Sequence, residues 1–144
     1  MMRGRPQLRV RAATEADLAA CAEIFAAGQR EIEPDAAEPT SFTRAVAGEQ
    51  VLVAVAPEGS VVAFLSLWRP DRFVHFLHVR PDWRRQGAAR LLLRRARQTA
   101  DGPLELKCLP GNMAALACYR RLGWNEVERH GDGPAPFVRL RQPA

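Results

Sequence analysis

The sequence is poor in cysteine and has no long hydrophobic run, and both absences narrow the class of protein. Its 144 residues include three cysteines, Cys21, Cys108 and Cys118, without CxxC spacing. Because this pattern gives neither a disulfide framework nor a zinc site, we predict free thiols in a reducing compartment and no metal. No apolar stretch approaches the roughly 18–20 residues that span a membrane, and the basic N-terminus precedes no signal-type apolar core. We therefore expect a cytoplasmic protein without a membrane partner.

The charge is basic and unevenly distributed. The net charge is +5, from 21 Lys+Arg against 16 Asp+Glu, and the arginines concentrate between residues 69 and 97. A basic patch is typical of nucleic-acid binding, but few aromatics lie among these arginines, and zinc-finger, helix-turn-helix and RNA-binding signatures are absent. An arginine face would attract a small polyanion equally well. We therefore expect that nucleic acid is not the main ligand.

Hydrophobic periodicity predicts one α/β domain over residues 1–144. Thr14 and Asp17 have the spacing of a helix cap, so a helix is expected to begin there. Two more helices are predicted near 87–100 and 112–122, and residues 31–43 form a loop or a broken second helix. Strands are predicted at 7–12, 51–56, 61–68, 73–80, 104–109, 124–129 and 137–141. Because hairpins join some strands and helices join others, the pattern indicates a mixed, mostly antiparallel sheet flanked by helices.

The segment between the fourth strand and the helix near 87–100 has the chemistry of an anion site. It reads Arg84-Arg85-Gln86-Gly87-Ala88-Ala89-Arg90. Small residues let a ligand approach the backbone, and a helix N-terminus presents free N–H groups with partial positive charge. Such a site suits phosphate, whereas the GxxxxGK[ST] and GxGxxG motifs are both absent. An ordinary capped helix would use the same residues, so this segment alone leaves both interpretations open.

Three segments together resemble the GNAT N-acetyltransferase superfamily. Residues 84–89 are similar to its R/Q-x-x-G-x-G/A pyrophosphate motif, and Leu77, Val79 and Pro81 match the L-x-V-x-P strand end before it. Residues 112–124 resemble its N-x-x-A-x-x-x-Y-x-x-x-G-F helix, with Trp124 in place of Phe. The opening R-x-A-T-x-x-D-L of residues 11–18 also fits. The resemblance spans most of the chain, in the family's order.

The resemblance implies a GNAT-like fold, acetyl-CoA as cosubstrate, and transfer of its acetyl group to an amine by direct attack. Backbone groups of the strand end would bind the pantetheine arm, with Leu77, His78 and Val79 as contacts. The N–H of Val79 would polarise the thioester carbonyl. Asn112 would contact the pantetheine, and Tyr119 would protonate the departing thiolate. The pyrophosphate would lie on Arg84, Arg85, Gln86, Gly87, Ala88, Ala89 and Arg90.

The general base is where the sequence departs from the family pattern. Many relatives place a carboxylate on the strand corresponding to residues 73–79, but no Asp or Glu lies there. The titrating groups available are His75 and His78. Because side chains alternate along a strand, only one of them is expected on a given side. We expect His75 on the side of Leu77 and Val79, and we predict it as the direct or water-mediated base.

The acceptor is predicted only as a class, a primary amine on a small molecule or on a protein. The acidic residues Glu31, Glu33, Asp35 and Glu38 correspond to the family's acceptor-binding loop and would attract a cationic amine, although a solvated loop has the same composition. Phe25, Gln29 and Phe42 are candidates for the same pocket. Two alternatives stay open, a non-catalytic acyl-CoA-binding module and a nucleic-acid-associated protein using the arginine face. The resemblance is also compatible with a homodimer.

Overall fold

A seven-stranded mixed sheet forms the centre of the protein. The computed structural model describes residues 7–35 and 41–144. The strands are β1 (Arg9–Ala12), β2 (Gln50–Val55), β3 (Val61–Trp68), β4 (Phe73–Val79), β5 (Glu105–Cys108), β6 (Asn125–His130) and β7 (Phe137–Arg141). They lie in the order β1-β2-β3-β4-β5-β7-β6, and all neighbours are antiparallel except β4 and β5. The predicted mixed, mostly antiparallel sheet in a single domain is confirmed.

Helices cover both faces of the sheet. They are α1 (Leu18–Ile32), α2 (Phe42–Ala45), α3 (Ala88–Ala100) and α4 (Met113–Arg121). Helices α3 and α4 pack against one face through Leu92, Leu93 and Leu116. Helices α1 and α2 pack against the other face around Phe25, Phe42 and Phe64. The central strands β2 and β3 are therefore largely buried on both sides, as their runs of apolar residues predict.

The start of α1 is fixed by the residues that predicted it. The Asp17 carboxylate accepts hydrogen bonds from the Thr14 N–H at 2.7 Å and from the Thr14 hydroxyl at 3.1 Å. Arg11 in β1 donates to the same carboxylate at 2.6 Å. The Arg11 hydrogen bond, with smaller contributions from Thr14, lowers the pKa of Asp17 to about 2. A short 3-10 turn, Glu15–Asp17, precedes the α-helix proper.

Candidate functional site

An unpaired strand edge opens between β4 and β5. The two parallel strands pair only at Phe73–Glu105 and Val74–Leu106, although β4 continues to Val79. On its other edge β4 pairs with β3 along its whole length. The described residues therefore leave the second half of β4 with one free edge. A free edge of this kind can accept an extended ligand as an added strand.

The backbone of Leu77 and Val79 faces this free edge. Arg80 donates its N–H to Val62 of β3, and Phe76 points its N–H at the Ser66 hydroxyl of β3. Because successive N–H groups of a strand point to opposite edges, those of Leu77 and Val79 point away from β3. His78 does not share this position, because its N–H points to β3 as those of Phe76 and Arg80 do.

The loop from Arg84 to Gly87 leads directly from the free edge to the N-terminus of α3. Arg85 and Gly87 adopt left-handed conformations, with φ of 63° and 89°. A Cβ built on Gly87 meets no atom within 4 Å, so the space above this residue is open. Leu91 makes the first intrahelical bond of α3, to the Gly87 carbonyl, at 3.0 Å, so the N–H groups of the residues before it in the first turn have no acceptor within the helix. This loop can present several backbone donors to one anion.

The side chains of the loop differ in their hydrogen-bond partners and in their exposure to solvent. Arg84 pairs with Glu31 of α1 at 2.8 Å and lies 3.4 Å from the Val79 carbonyl. Gln86 donates to the Asp82 carbonyl. Arg85 and Arg90 are exposed, Ala89 is partly buried and Ala88 belongs to the core. Arg84 and Gln86 thus hold the loop in shape, whereas Arg85 and Arg90 extend into solvent beside it.

The acidic residues that precede β2 differ in their contacts. Glu31 is engaged by Arg84, and Glu33 and Asp35 are exposed. Glu38 lies outside the described residues. Phe25 and Phe42, two of the predicted candidates for an acceptor pocket, are instead buried in the core between the sheet and helices α1 and α2. That expectation is wrong for both, because their rings pack on each other and on Phe64.

A β-bulge in β4 changes the side on which His75 lies. Ser66 pairs with Phe76 and Leu67 with Val74, so His75 is an extra residue between two paired positions. Val74 and Leu77 both pack on the α3 side of the sheet, which an unbroken alternation would not allow. The His75 ring stacks on Phe76, with centroids 4.0 Å apart, and Phe76 packs on the α1 side. The expectation that His75 shares its side with Leu77 and Val79 is therefore wrong.

The partner of His75 is a carboxylate that sequence reasoning missed. Glu49, immediately before β2, places Oε2 2.7 Å from the Nδ1 of His75. The Glu49 side chain is only 7% exposed, whereas that of His75 is 44% exposed. The other oxygen of Glu49, Oε1, is buried and has no hydrogen-bond partner among the described residues. No local pattern signals this contact, because it joins residues 26 positions apart across β3.

His78 lies on the same side as His75 but deeper. Its ring packs against Phe25, Phe64 and Phe76, and it lies directly on the backbone of Gly28 in α1. Burial lowers the pKa of His78 to about 4; Glu31 raises it by a smaller amount, and Arg84 lowers it slightly further. The bulge thus places both histidines on one face, contrary to the expected alternation. Of the two, His75 is the more exposed to solvent.

Tyr119 and Asn112 lie on and before α4. Tyr119 is partly buried and packs on Trp124, with ring centroids 5.3 Å apart. Burial, and less strongly Cys108 and Cys118, raise the pKa of its phenol above the ordinary value. Asn112 is exposed and caps α4, accepting a hydrogen bond from the Ala115 N–H at 3.2 Å. The phenol therefore keeps its proton at physiological pH. The Asn112 side-chain oxygen is already used as a hydrogen-bond acceptor at the start of α4.

The described ranges carry neither a metal-ligating cluster nor a membrane span. Within residues 7–35 and 41–144, no group of three or more His, Cys, Asp or Glu side chains is placed to hold a metal ion. In the same part of the chain, no helix has the length and apolar content needed to cross a membrane.

This α/β fold is shared with solved N-acetyltransferase structures. A GCN5-related N-acetyltransferase from Rhodopseudomonas palustris matches with a TM-score of 0.72 and 21% identity over 100% of this chain and 99% of that one. The ribosomal-protein-S18-alanine N-acetyltransferase from Escherichia coli matches with a TM-score of 0.71 and 24% identity over 95% and 94%. The ribosomal-protein-alanine N-acetyltransferase from Brucella melitensis matches with 0.69 and 25% over 93% and 98%.

Comparison with a sequence model of a protein family identifies the family of this chain. The model described as the acetyltransferase (GNAT) family matches residues 18–124. The chain belongs to this family, and the resemblance proposed from the sequence is confirmed. A comparison with curated protein sequences gives no significant match.

Proposed function

We propose that this protein is an N-acetyltransferase that moves an acetyl group from acetyl-CoA to a primary amine. The observation that carries the proposal is the continuity of the free β4 edge with the loop before α3. An extended cofactor arm ending in phosphates needs backbone donors along a strand and then several donors at one point. The chain presents these two features in that order, over residues 77–90.

The residues present fit acetyl-CoA. Leu77 and Val79 would pair their backbone groups with the pantetheine arm, and the N–H of Val79 would polarise the thioester carbonyl. The open backbone at Gly87 and the first turn of α3 would hold the pyrophosphate, with Arg85 and Arg90 beside it. When bound, acetyl-CoA supplies an activated acyl group.

His75 is proposed as the group that prepares the amine. A primary amine is mostly protonated at neutral pH, so one proton must leave before nitrogen can attack. His75 would accept it, directly or through water, on the exposed part of its ring. The amine lone pair then forms the C–N bond while the C–S bond breaks and its electron pair passes to sulfur. The second amine proton ends on that sulfur.

Tyr119 is proposed to stabilise the departing sulfur. Because a phenol with a raised pKa is a weaker acid than a thiol, complete loss of its proton to a thiolate is unfavourable. A hydrogen bond from the Tyr119 hydroxyl to the sulfur needs no such loss, and it strengthens as negative charge develops. The proposed role is therefore donation of a hydrogen bond, with the proton that remains on sulfur coming from the amine.

The acceptor is proposed only as an amine on a small molecule or on a protein. Two of the solved structures above are ribosomal-protein-alanine N-acetyltransferases, and a further structural neighbour is a putative phosphinothricin N-acetyltransferase. These matches are at or below 25% identity, so they do not choose between the two classes. A cytoplasmic location is proposed with it, because the three cysteines are free thiols.

Calorimetric titration of acetyl-CoA into the purified protein tests the cofactor and its site. Micromolar-range binding at one site per chain is expected, and Gly87→Trp should abolish it by filling the open space above the loop. Gly133→Trp is the matched control, since Gly133 also has positive φ and open surroundings but lies between β6 and β7. Equal loss in both variants, or unchanged affinity in Gly87→Trp, would show that the site is misplaced.

Turnover distinguishes an enzyme from a non-catalytic acyl-CoA-binding module. Amines of both classes are offered with acetyl-CoA, and free CoA thiol is measured. Binding without turnover on any amine, and identical behaviour of the Tyr119→Phe variant, would favour the binding module. The absence of cofactor binding would favour the nucleic-acid alternative, which a steep salt dependence of RNA or DNA binding would then support.

A further inference from the structure

The pair formed by Glu49 and His75 differs from a surface ion pair because its carboxylate is buried. Glu49 Oε2 lies 2.7 Å from Nδ1, while the carboxylate side chain is almost completely buried and the imidazole is partly exposed. A buried carboxylate is costly unless it accepts hydrogen bonds. The described residues offer it one donor, the Nδ1–H of His75. The contact therefore fixes where the imidazole carries its proton.

The backbone on both sides is arranged to make this contact. On one side, the bulge in β4 adds His75 as an extra residue and turns its ring to the α1 face. On the other side, Glu49 follows a turn in which its N–H donates to the Val46 carbonyl at 2.9 Å, immediately before β2. The Phe76 ring, stacked on the imidazole at an interplanar angle of 25°, limits its rotation. The ring is thus held by a hydrogen bond at one edge and by stacking on one face.

We propose that Glu49 is a positioning residue for His75, holding it as the Nδ1–H tautomer with the unprotonated Nε2 turned to the acceptor amine. The inference rests on the proposed function, in which His75 takes a proton from the amine. A neutral imidazole has one donor nitrogen and one acceptor nitrogen, and the partner of one sets the role of the other. When Nε2 takes the amine proton, the resulting imidazolium lies against a carboxylate that stabilises its charge.

The tautomer can be measured without any substrate. Long-range 1H–15N correlation spectra, recorded at alkaline pH where imidazoles are neutral, distinguish a protonated from an unprotonated ring nitrogen. The chain has only three histidines, so His78→Gln and His130→Gln variants assign the signals. We expect His75 to show Nδ1 protonated and Nε2 unprotonated.

An internal reference is present in the same molecule. His130 contacts Glu128 through Nε2 at 2.8 Å, on an exposed pair between β6 residues. We expect His130 to show more protonated Nε2 than His75. Glu49→Met, which keeps the length of the side chain but removes the acceptor, should shift His75 towards the Nε2–H tautomer. The matched control, Glu128→Met, should leave the His75 signals unchanged.

Kinetics supply the second readout. Glu49→Met is expected to lower kcat for the amine at least about tenfold with little change in the KM for acetyl-CoA, because it alters the base and not the cofactor site. Glu128→Met should leave kcat unchanged. A wild-type His75 with Nε2 protonated, or a Glu49→Met spectrum identical to wild type, would overturn the inference even if Glu49→Met failed to support turnover. Full turnover in His75→Gln would instead overturn the proposed base, so the two failures are distinguishable.

Discussion

Acidification should destabilise this protein through His78, in a pH range that the structure defines. The ring is packed among Phe25, Phe64 and Phe76, and burial lowers its pKa to about 4. In the unfolded chain the pKa of a histidine is about 6.5. Between these values the unfolded state binds a proton that the folded state does not, so stability falls as pH decreases from about 6.5 and stops falling near 4.

The size of the effect follows from the same two values. At about pH 5 the unfolded His78 is protonated and the folded one is not. This pH lies about 1.5 units below the unfolded pKa, and each unit lowers the free energy of unfolding by about 1.4 kcal/mol, so the loss is about 2 kcal/mol. Asp17 does not contribute here, because at about pH 5 its carboxylate is ionised both in the unfolded chain, where its pKa is 3.8, and in the folded protein, where its pKa is about 2. A loss of about 2 kcal/mol is a large part of the 5–15 kcal/mol typical of a domain.

Urea denaturation at about pH 7 and about pH 5 measures this loss. The His78→Leu variant removes the titrating group, so its stability should change less between the two pH values, by about 2 kcal/mol. His130→Gln is the matched control, since it removes an exposed histidine and should leave the pH dependence of wild type nearly intact. The reasoning would be refuted if wild type and His78→Leu lost the same free energy of unfolding on acidification.

Three further predictions concern single residues. Tyr119→Phe should lower kcat roughly 10- to 100-fold with little change in acetyl-CoA affinity, and unchanged kcat measured by thiol release would remove the hydroxyl from the mechanism. Gly28→Ala should cost about 1–3 kcal/mol in urea denaturation, because its Cβ would lie 2.2 Å from the Nδ1 of His78. Combining it with His78→Ala should remove that penalty, and a penalty that persists would contradict the contact. Gly87→Trp should lose acetyl-CoA binding while Gly133→Trp keeps it, as calorimetry would show.

The order of strands and helices was determined by the sequence itself. Local periodicity and turn residues place β3 and β7 at the predicted residues, and they place the other strands, α3 and α4 to within about two residues. The short helix α2, Phe42–Ala45, is the exception, because only a loop or a broken helix is predicted over residues 31–43. The Thr14–Asp17 cap and the Gly87 turn could also be recognised locally, because their interactions join residues close in the chain. The family resemblance in three segments identified the fold. Each of these features depends on near neighbours in sequence, which is why the sequence was sufficient.

The arrangement of the candidate base was decided only by the tertiary structure. The bulge at His75 depends on how β4 registers with β3, and one extra residue reverses the side on which it lies. Glu49 comes from the other side of β3, so no spacing rule connects it with His75. The free edge at Leu77 and Val79 exists because β4 and β5 stop pairing after Val74, which is a property of two strands and not of either one. Side-chain alternation is set locally, but its direction at a bulge is set by the partner strand.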